Sequence, residues 1–336
     1  MEATIKDISE KTGLSLGTIS NYLNGRNVKE INRILIETAI EELGYNVNMS
    51  ARSLKTKQSK LIGLVVPSSE LTFSAKLVSV VEKILSKKGF MVMITVIGHS
   101  PLIDYQKLIN LQSRNADAMI IIPSTNNETL EKWLKSLKSP IPIIILDRII
   151  EDYNKAKYVL VNNESASKMA VDYLIHKNHK LISIIGGDMD GYTTIERMKG
   201  YKKSLEENDM EINPDYIIYS DFTIRGGYLA CEKIFQLKNL PSAIFVTNYD
   251  MTLGVIEYLN EHNIKIGEGI SLIGFDLDDL TKIVNPSITM IIQPIKEMAE
   301  YTAYRLLDFL KREYYEKTPI FFTCTLKEGG SVSELI

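Results

Sequence analysis

Residues 4–25 read TIKDISEKTGLSLGTISNYLNG, and this stretch decides the fold of the amino-terminal part of the chain. Thr4 and Asp7 have the spacing at which a helix N-cap and the third helical residue bond to each other's backbone. Gly13 interrupts that helix, because glycine readily adopts the left-handed conformation of a tight turn. Ser15 is a good N-cap for a second short helix. The stretch therefore predicts two short helices joined by a glycine turn.

A third helix follows this pair. Ile36, Ile40 and Leu43 recur at helical spacing, and Gly44 marks the end of the helix. Two short helices braced by a third are typical of a helix-turn-helix unit, which places its second helix in the major groove of DNA. We therefore predict a helix-turn-helix DNA-binding domain at residues 1–45.

The remainder of the chain predicts a linker followed by an α/β body. Residues 46–60 are polar and form the linker. Beyond them, apolar runs rich in β-branched residues alternate with amphipathic segments of helix length, which is typical of parallel sheets covered on both faces. About ten strands exceed one comfortable open sheet, so we predict two doubly wound, parallel-sheet α/β lobes with a ligand cleft at the carboxyl ends of the strands. The predicted strands are Leu61–Val66, Met91–Ile97, Ala118–Ile122, Ile141–Leu146, Val159–Val161, Leu181–Ile185, Ile217–Tyr219, Ala243–Val246 and Ser271–Phe275.

The composition argues against several classes of protein. The chain has 336 residues, of which 45% are hydrophobic and 24% charged, with a formal net charge of −3. It lacks the roughly 18-residue apolar stretch of a membrane span and the pattern of a secretory signal, so we expect a cytoplasmic protein. Two cysteines and four histidines predict no disulfide framework, no zinc site and no catalytic constellation. We expect no enzyme, no metal and no cofactor.

The order and spacing of several motifs resemble those of the LacI/GalR family of bacterial transcriptional repressors. The resemblance implies a chain that crosses three times between two effector lobes, and a homodimer that binds near-palindromic operator DNA. The implied lobes are residues 61–160 plus 291–320 and residues 161–290 plus 321–336. The motifs are Thr4-Ile5-Lys6-Asp7-Ile8, Thr18-Ile19-Ser20, Leu23-Asn24-Gly25, Ala51-Arg52-Ser53-Leu54, Asp147-Arg148, Arg197-Met198-Lys199-Gly200-Tyr201, Gly274-Phe275-Asp276 and Gln293-Pro294.

The resemblance assigns base reading to the second helix, at Leu16, Gly17 and Asn21. An asparagine amide can bond bidentately to adenine, so we predict an A·T pair where many relatives read G·C. Thr4 and Ser15 are also plain helix caps, and Lys29 is also readable as a solvated lysine. The positions that match phosphate contacts are Thr4, Ser15, Thr18, Asn24, Lys29 and Asn48.

The linker matches the family's hinge helix, which orders on DNA and lies in the minor groove. Ala51 and Leu54 match its contact positions, and Leu54 would act as an apolar wedge between base steps. The alternative is a Leu54 side chain packed on its own domain. Val47 stands where relatives usually have proline, which would have preset the first helical turn.

The resemblance places a small-molecule effector in the cleft. Arg197 and Asp276 match charged positions that clamp the ligand; the alternative is an ion pair within the lobe. Gly191 stands where purine-sensing relatives use arginine, which argues against a purine. A lining with few acidic groups favours an acidic or phosphorylated sugar. The other matching positions, for which packing or capping roles stay open, are Phe73, Arg148, Asn162, Thr193, Phe222 and Asn248.

The sequence thus predicts a sequence-specific DNA-binding regulator, a repressor controlled by a sugar-like effector. The alternative is a DNA-binding regulator whose body binds a protein partner instead of a small molecule. A secreted sugar-binding protein would share the two lobes but would carry a signal peptide in place of the helix-turn-helix domain.

Overall fold

The computed structural model describes residues 3–23, 26–45, 58–67, 71–98, 100–124, 128–137, 141–150, 153–311 and 317–336. The chain forms two compact units, residues 1–59 and residues 60–336, and each is described by itself. Four residues with predicted DNA roles, Asn24, Asn48, Ala51 and Leu54, lie outside the described residues.

The first unit contains three helices: α1 (Ile5–Thr12), α2 (Leu16–Leu23) and α3 (Glu30–Leu43). Gly13 ends α1 at a φ of 68° and Gly44 ends α3 at a φ of 59°, the left-handed region that glycine enters at little cost. The apolar face of each helix meets the others in a small core of Ile8, Ile19, Ile36 and Ala39. The three predicted helices are therefore present.

The first lobe of the second unit has a six-stranded parallel sheet in the order β11-β5-β4-β3-β1-β2. Its inner strands are buried throughout and mostly apolar, because helices cover both faces of the sheet there, whereas the two edge strands are partly exposed. Its elements are β1 (Leu61–Pro67), α4 (Leu71–Lys87), β2 (Met91–Ile97), α5 (Pro101–Ser113), β3 (Ala118–Ile121), α6 (Glu128–Ser136), β4 (Ile143–Leu146), β5 (Lys157–Val161), α12 (Ile295–Phe309) and β11 (Ile320–Phe322).

The second lobe has another six-stranded sheet, in the order β12-β10-β9-β8-β6-β7, which is parallel except for the edge strand β12. Its elements are α7 (Asn163–His176), β6 (Ile182–Gly186), α8 (Tyr192–Glu207), β7 (Ile217–Tyr219), α9 (Ile224–Phe235), β8 (Ala243–Val246), α10 (Tyr249–Glu261), β9 (Ser271–Asp276), α11 (Leu280–Ile283), β10 (Thr289–Ile292) and β12 (Thr325–Lys327). The predicted pair of doubly wound α/β lobes is confirmed, and each of the nine predicted runs overlaps a strand.

The chain crosses between the lobes three times: after β5, after β10, and between β11 and β12. Two of the predicted lobe boundaries fall inside strands. The structure keeps all of β10 (Thr289–Ile292) in the second sheet and all of β11 (Ile320–Phe322) in the first. The boundaries shift by two residues each because a strand keeps its hydrogen-bonded neighbour along its whole length.

Candidate functional site

The helix-turn-helix unit exposes the three predicted base-reading residues on one face of α2. Leu16 is 45% exposed, and Gly17 and Asn21 are also exposed. On the opposite face, Ile19 is fully buried in the core of the first unit. The exposed side chain of Leu16 therefore offers an apolar contact at the start of α2.

Thr4 and Ser15 both act as helix caps. The Thr4 backbone N–H and hydroxyl donate to Asp7 Oδ2 over 2.6 and 2.8 Å. Ser15 Oγ accepts from the Thr18 backbone N–H at 3.2 Å and lies 3.0 Å from the Thr18 hydroxyl. Lys29 lies exposed directly before α3. The alternative structural role weighed for Thr4 and Ser15 is therefore present, and a phosphate role for these hydroxyls stays a prediction.

The side chain and backbone of Asn21 both contact Arg26. Arg26 Nη1 donates to Asn21 Oδ1 at 3.4 Å, and the Arg26 backbone N–H donates to the Asn21 carbonyl oxygen at 2.9 Å. The side-chain bond is long and exposed, hence weak. Because an amide oxygen has two lone pairs, Asn21 Oδ1 can accept a further hydrogen bond beside this one.

A narrow cavity of about 10 Å³, measured as the space open to the centres of water-sized molecules, lies between the two lobes of the second unit. Six of the eight predicted effector residues line it, contributed by both lobes. Asp147 and Gln293, which belong to quoted motifs but were not predicted to contact effector, line it too. The lining consists of Phe73, Asp147, Thr193, Arg197, Phe222, Asn248, Asp276 and Gln293.

Arg197 is held rigidly in the wall of this cavity. It is 4% exposed, its Nε donates to Asn163 Oδ1 at 2.8 Å, and its Nη1 donates to the carbonyl oxygen of Thr247. Its guanidinium stacks on the Phe275 ring, 3.9 Å from the centroid. A buried guanidinium is stable only when its donors meet acceptors, and these contacts supply them.

Asp276 collects donors from three sides. Its Oδ2 accepts from the Tyr249 backbone N–H at 3.0 Å and from Asn248 Nδ2 at 3.3 Å, and its Oδ1 accepts from Gln293 Nε2. Arg197 Nη2 lies 4.0 Å from the same Oδ1. The ion pair weighed as an alternative for Arg197 and Asp276 is thus present but long, so neither charge is fully satisfied by the other.

Three cavity residues have left-handed backbone. The φ angles are 68° at Asp147, 63° at Phe222 and 91° at Asp276. Such a conformation costs a non-glycine residue about 1–3 kcal/mol and is concentrated at functional sites. The clustering of these three positions around one cavity supports its assignment as a binding site.

Asp147 is the least satisfied charge in the site. It is 3% exposed, its Oδ2 lies 3.6 Å from Arg148 Nε, and its Oδ1 has no hydrogen-bond partner among the described residues. Burial raises the pKa of Asp147 to about 6; the Arg197 charge opposes this rise and the Asp276 charge adds to it. The proton therefore binds more tightly to folded than to unfolded protein.

This pKa predicts how stability depends on pH. Because the folded state holds this proton more tightly, the stability that the protonated group contributes is present at low pH and is lost as the pH rises through about 6. Asp147→Asn removes this titration, so its stability relative to wild type is expected to increase by about 2 kcal/mol from pH 4 to pH 7. Thermal unfolding at both pH values measures it. Asp209→Asn, an exposed aspartate after α8, is the control, and a pH-independent difference for Asp147→Asn would contradict the prediction.

Two predicted effector residues do not line this cavity. Arg148 is 1% exposed and lies behind it, with its guanidinium 5.5 Å from the Phe222 ring centroid. Burial lowers the pKa of Arg148 to about 10. Asn162 is exposed and caps α7, since its Oδ1 accepts from the Ser165 backbone N–H at 3.1 Å. The next residue, Asn163, is the asparagine that bonds to Arg197.

Two polar contacts join the lobes outside the cavity. Thr72 Oγ1 donates to Asp250 Oδ1 at 2.8 Å, and Lys76 Nζ lies 2.7 Å from Asp279 Oδ2. Burial raises the pKa of Asp250, while the Thr72 hydrogen bond opposes that rise. Both contacts run from α4 of the first lobe to the second lobe, so they join the lobes beside the cavity.

The described residues contain no group of three or more histidine, cysteine or acidic side chains that could hold a metal ion. Among the described helices, none is long and apolar enough to cross a membrane.

Comparisons with known proteins agree with a two-lobed body behind a helix-turn-helix unit. A family described as a periplasmic binding protein-like domain matches residues 171–332. The chain is 30% identical over 336 residues to the HTH-type transcriptional repressor PurR of Vibrio atlanticus, with 99% of each chain covered. It is 29% identical over 315 residues to catabolite control protein A of Priestia megaterium, covering 93% of this chain and 94% of the relative.

The fold is shared with a solved repressor. The Lac repressor dimer bound to operator and the anti-inducer ONPF superposes with a TM-score of 0.85 over 99% of this chain and 100% of the other, at 21% identity. Together these features define a helix-turn-helix regulator with a periplasmic-binding-like body. The chain belongs to the LacI/GalR family of transcriptional regulators.

Proposed function

We propose that this protein is a repressor that binds near-palindromic operator DNA as a homodimer, and that a small sugar-like molecule between the lobes controls its affinity for DNA. The carrying observation is the cavity between the lobes, which is lined by Arg197, Asp276 and two phenylalanine rings in a chain whose helix α2 also exposes Leu16, Gly17 and Asn21. A pairing of polar groups and aromatic rings suits a small polar ligand. The matched relatives bear the names of regulators rather than enzymes.

Names of relatives support the ligand class. One solved structure is titled transcriptional regulator CelR–cellobiose complex; it is 24% identical, covers 98% of this chain and 99% of that one, and has a TM-score of 0.74. Because operator DNA is chromosomal, we place the protein in the cytoplasm. We propose that residues 1–45 bind DNA and that the two lobes bind the effector. Residues 46–60 would form the hinge between them.

The ligand-facing charges are bonded to the crossings between the lobes. Arg197 donates to Asn163, which directly follows the first crossing, and Gln293 in the second crossing donates to Asp276. The Asn162 backbone N–H donates to the Phe322 carbonyl oxygen at 2.9 Å, which ties the first crossing to the third. A ligand that moves Arg197 or Asp276 therefore acts directly on the segments about which the lobes rotate.

The linker supplies the proposed readout. A short polar helix is unstable alone, since nucleation is costly below about 12 residues. We propose that the hinge around Asn48, Ala51 and Leu54 orders only when two copies meet on DNA, and that lobe rotation changes their spacing. Differential affinity of the effector for two arrangements, typically about 1–3 kcal/mol, is sufficient for such control.

Selection of binding sites from random DNA tests the proposal. Full-length protein is expected to enrich a near-palindrome with an A·T pair at the position under Asn21. Asn21→Ala is expected to bind the selected site with about 1–3 kcal/mol less discrimination at that one base pair and unchanged preference elsewhere. Enrichment of G·C at that position would contradict the role of Asn21, and no enrichment at all would contradict operator binding.

A further inference from the structure

Helix α3 of the first unit is apolar on two opposite faces. Its inner face contributes Ile36 and Ala39 to the core of that unit. On its outer face, Ile31 is 69% exposed, Ile34 54% and Leu35 45%. Because residues three and four apart on a helix are neighbours, these three side chains form one continuous patch, which we call the outer stripe. A helix that only braces its neighbours needs one apolar face, so the outer stripe calls for a further partner.

The outer stripe has a charged border. Glu30 lies four residues before Ile34, and Glu37 and Glu41 lie three and seven residues after it, so all three share its side of the helix. All three glutamates are exposed. Single exposed apolar side chains are common on protein surfaces, whereas a contiguous apolar patch with a polar border marks an interaction site.

The border is acidic and only partly neutralised. Helix α3 contains four glutamates and one arginine, Arg33, which lies 2.5 Å from Glu30 and 4.0 Å from Glu37. Lys11 of α1 lies 2.6 Å from the fourth glutamate, Glu42. Within the described part of the chain, Glu41 forms no ion pair. Such exposed pairs are weak, so the border keeps an excess of negative charge.

The charge of the border selects the occupant of the outer stripe. DNA phosphates would be repelled by these glutamates, so the stripe does not suit the duplex to which α2 is proposed to bind. The same stripe on a second copy would bring two acidic borders together, and like charges across an interface oppose association. A protein segment with apolar side chains and basic borders complements both the stripe and its charge.

We propose that the outer stripe of α3 docks a protein partner that presents an amphipathic helix with an apolar stripe and basic borders. The apolar side chains of the partner cover Ile31, Ile34 and Leu35, and its lysines or arginines pair with Glu37 and Glu41. A standard interface buries about 800 Å² on each partner, far more than three side chains supply, so the contact is weak and sensitive to salt. It needs no effector and leaves α2 free for DNA, and it therefore goes beyond the proposed function.

Matched designed peptides test the class of partner. Each is a labelled amphipathic helix of the same length: one has a leucine stripe with lysine borders, one has the same stripe with glutamate borders, and one has lysine borders with a glutamine stripe. Fluorescence anisotropy with full-length protein at low ionic strength measures binding. The lysine-bordered leucine peptide is expected to bind roughly tenfold or more tightly than either of the others, because only it complements both features.

Variants assign the binding to α3. Ile34→Gln combined with Leu35→Gln is expected to weaken that peptide by roughly tenfold or more and to leave operator affinity unchanged. Leu102→Gln makes the same change at an 80% exposed leucine of α5 and is expected to have no effect. Glu41→Lys is expected to reduce the preference for lysine borders, whereas Glu10→Lys makes the same charge change at an exposed position of α1 and is expected to preserve it.

Several outcomes would overturn the inference. These are equal binding of the lysine- and glutamate-bordered peptides, no binding of any peptide, and binding that survives the change of Ile34 and Leu35 to glutamine. Loss of operator affinity in that double variant would assign the outer stripe to DNA, and self-association that the double variant abolishes would assign it to a second copy. Failure of the wild-type protein to select an operator would contradict only the proposed function, because peptide binding is measured without DNA.

Discussion

Replacing Arg197 by alanine is expected to abolish the response to effector while operator binding persists. Arg197 is the only arginine in the described cavity lining, and it joins Asn163, Thr247 and Asp276 around the ligand space. Removing one partner of a buried charge pair costs about 3–5 kcal/mol of stability. Each charged hydrogen bond to the effector that the variant loses weakens binding by about 1.5–3 kcal/mol. Effector affinity is therefore expected to fall by roughly 100-fold or more.

Operator binding with and without saturating effector measures this expectation. Arg197→Lys is the companion variant, because it keeps a positive charge and folds with less disruption, but it cannot reproduce the forked donation to Asn163 and Thr247. Both variants are expected to bind operator and to ignore the effector at concentrations that saturate wild type. A full response in Arg197→Lys would show that charge alone suffices and would contradict the geometric account.

Replacing Asn163 by alanine is expected to leave ligand binding detectable while uncoupling it from DNA. Asn163 Oδ1 accepts from Arg197 Nε, and its Nδ2 donates to the Val161 carbonyl oxygen at 3.3 Å. It therefore connects the ligand-facing guanidinium to the end of β5, at the first crossing. Coupling of the usual 5- to 150-fold is expected to fall to about twofold or less, because ligand-driven movement of Arg197 no longer reaches that crossing.

The adjacent residue provides the matched comparison. Asn162→Ala removes the α7 cap, which costs about 1 kcal/mol, and leaves the Arg197 contact intact. Calorimetry gives effector affinity, and fluorescence anisotropy of labelled operator gives coupling. Equal loss of coupling in both variants would show that general destabilisation, rather than the Asn163 bridge, is responsible.

The strands could be predicted from the sequence because a buried strand appears there as a continuous run of apolar residues. Runs such as Ala118–Ile121 and Ile143–Leu146 are apolar throughout, since both faces of a covered parallel sheet are dry. The ends of α1 and α3 could also be predicted, because Gly13 and Gly44 adopt the left-handed backbone that ends each helix. Lobe boundaries were less accurate, because strand partners are set by contacts distant in sequence.

The residues of the site could be predicted only in part, because residue type does not reveal the direction in which a donor or acceptor points. Arg197 looks like an anion ligand until its acceptors are seen, and Asn162 looks like a ligand contact until it caps α7. Asp147 belongs to a motif that the sequence analysis identified. That its Oδ1 has no hydrogen-bond partner among the described residues follows from tertiary packing and could not be predicted from the motif. The direction in which each lining side chain points depends on how the two lobes pack together. Periodicity in the sequence does not encode that packing.

The ratio of operator affinities with and without bound effector tests the central claim most directly. It is measured on the selected operator with full-length wild-type protein, alongside Arg197→Ala. A ligand held between the lobes is expected to change the wild-type dissociation constant by about 5- to 150-fold in one direction and to leave the variant unchanged. A wild-type ratio of one, at effector concentrations that calorimetry shows to fill the cleft, would contradict the claim.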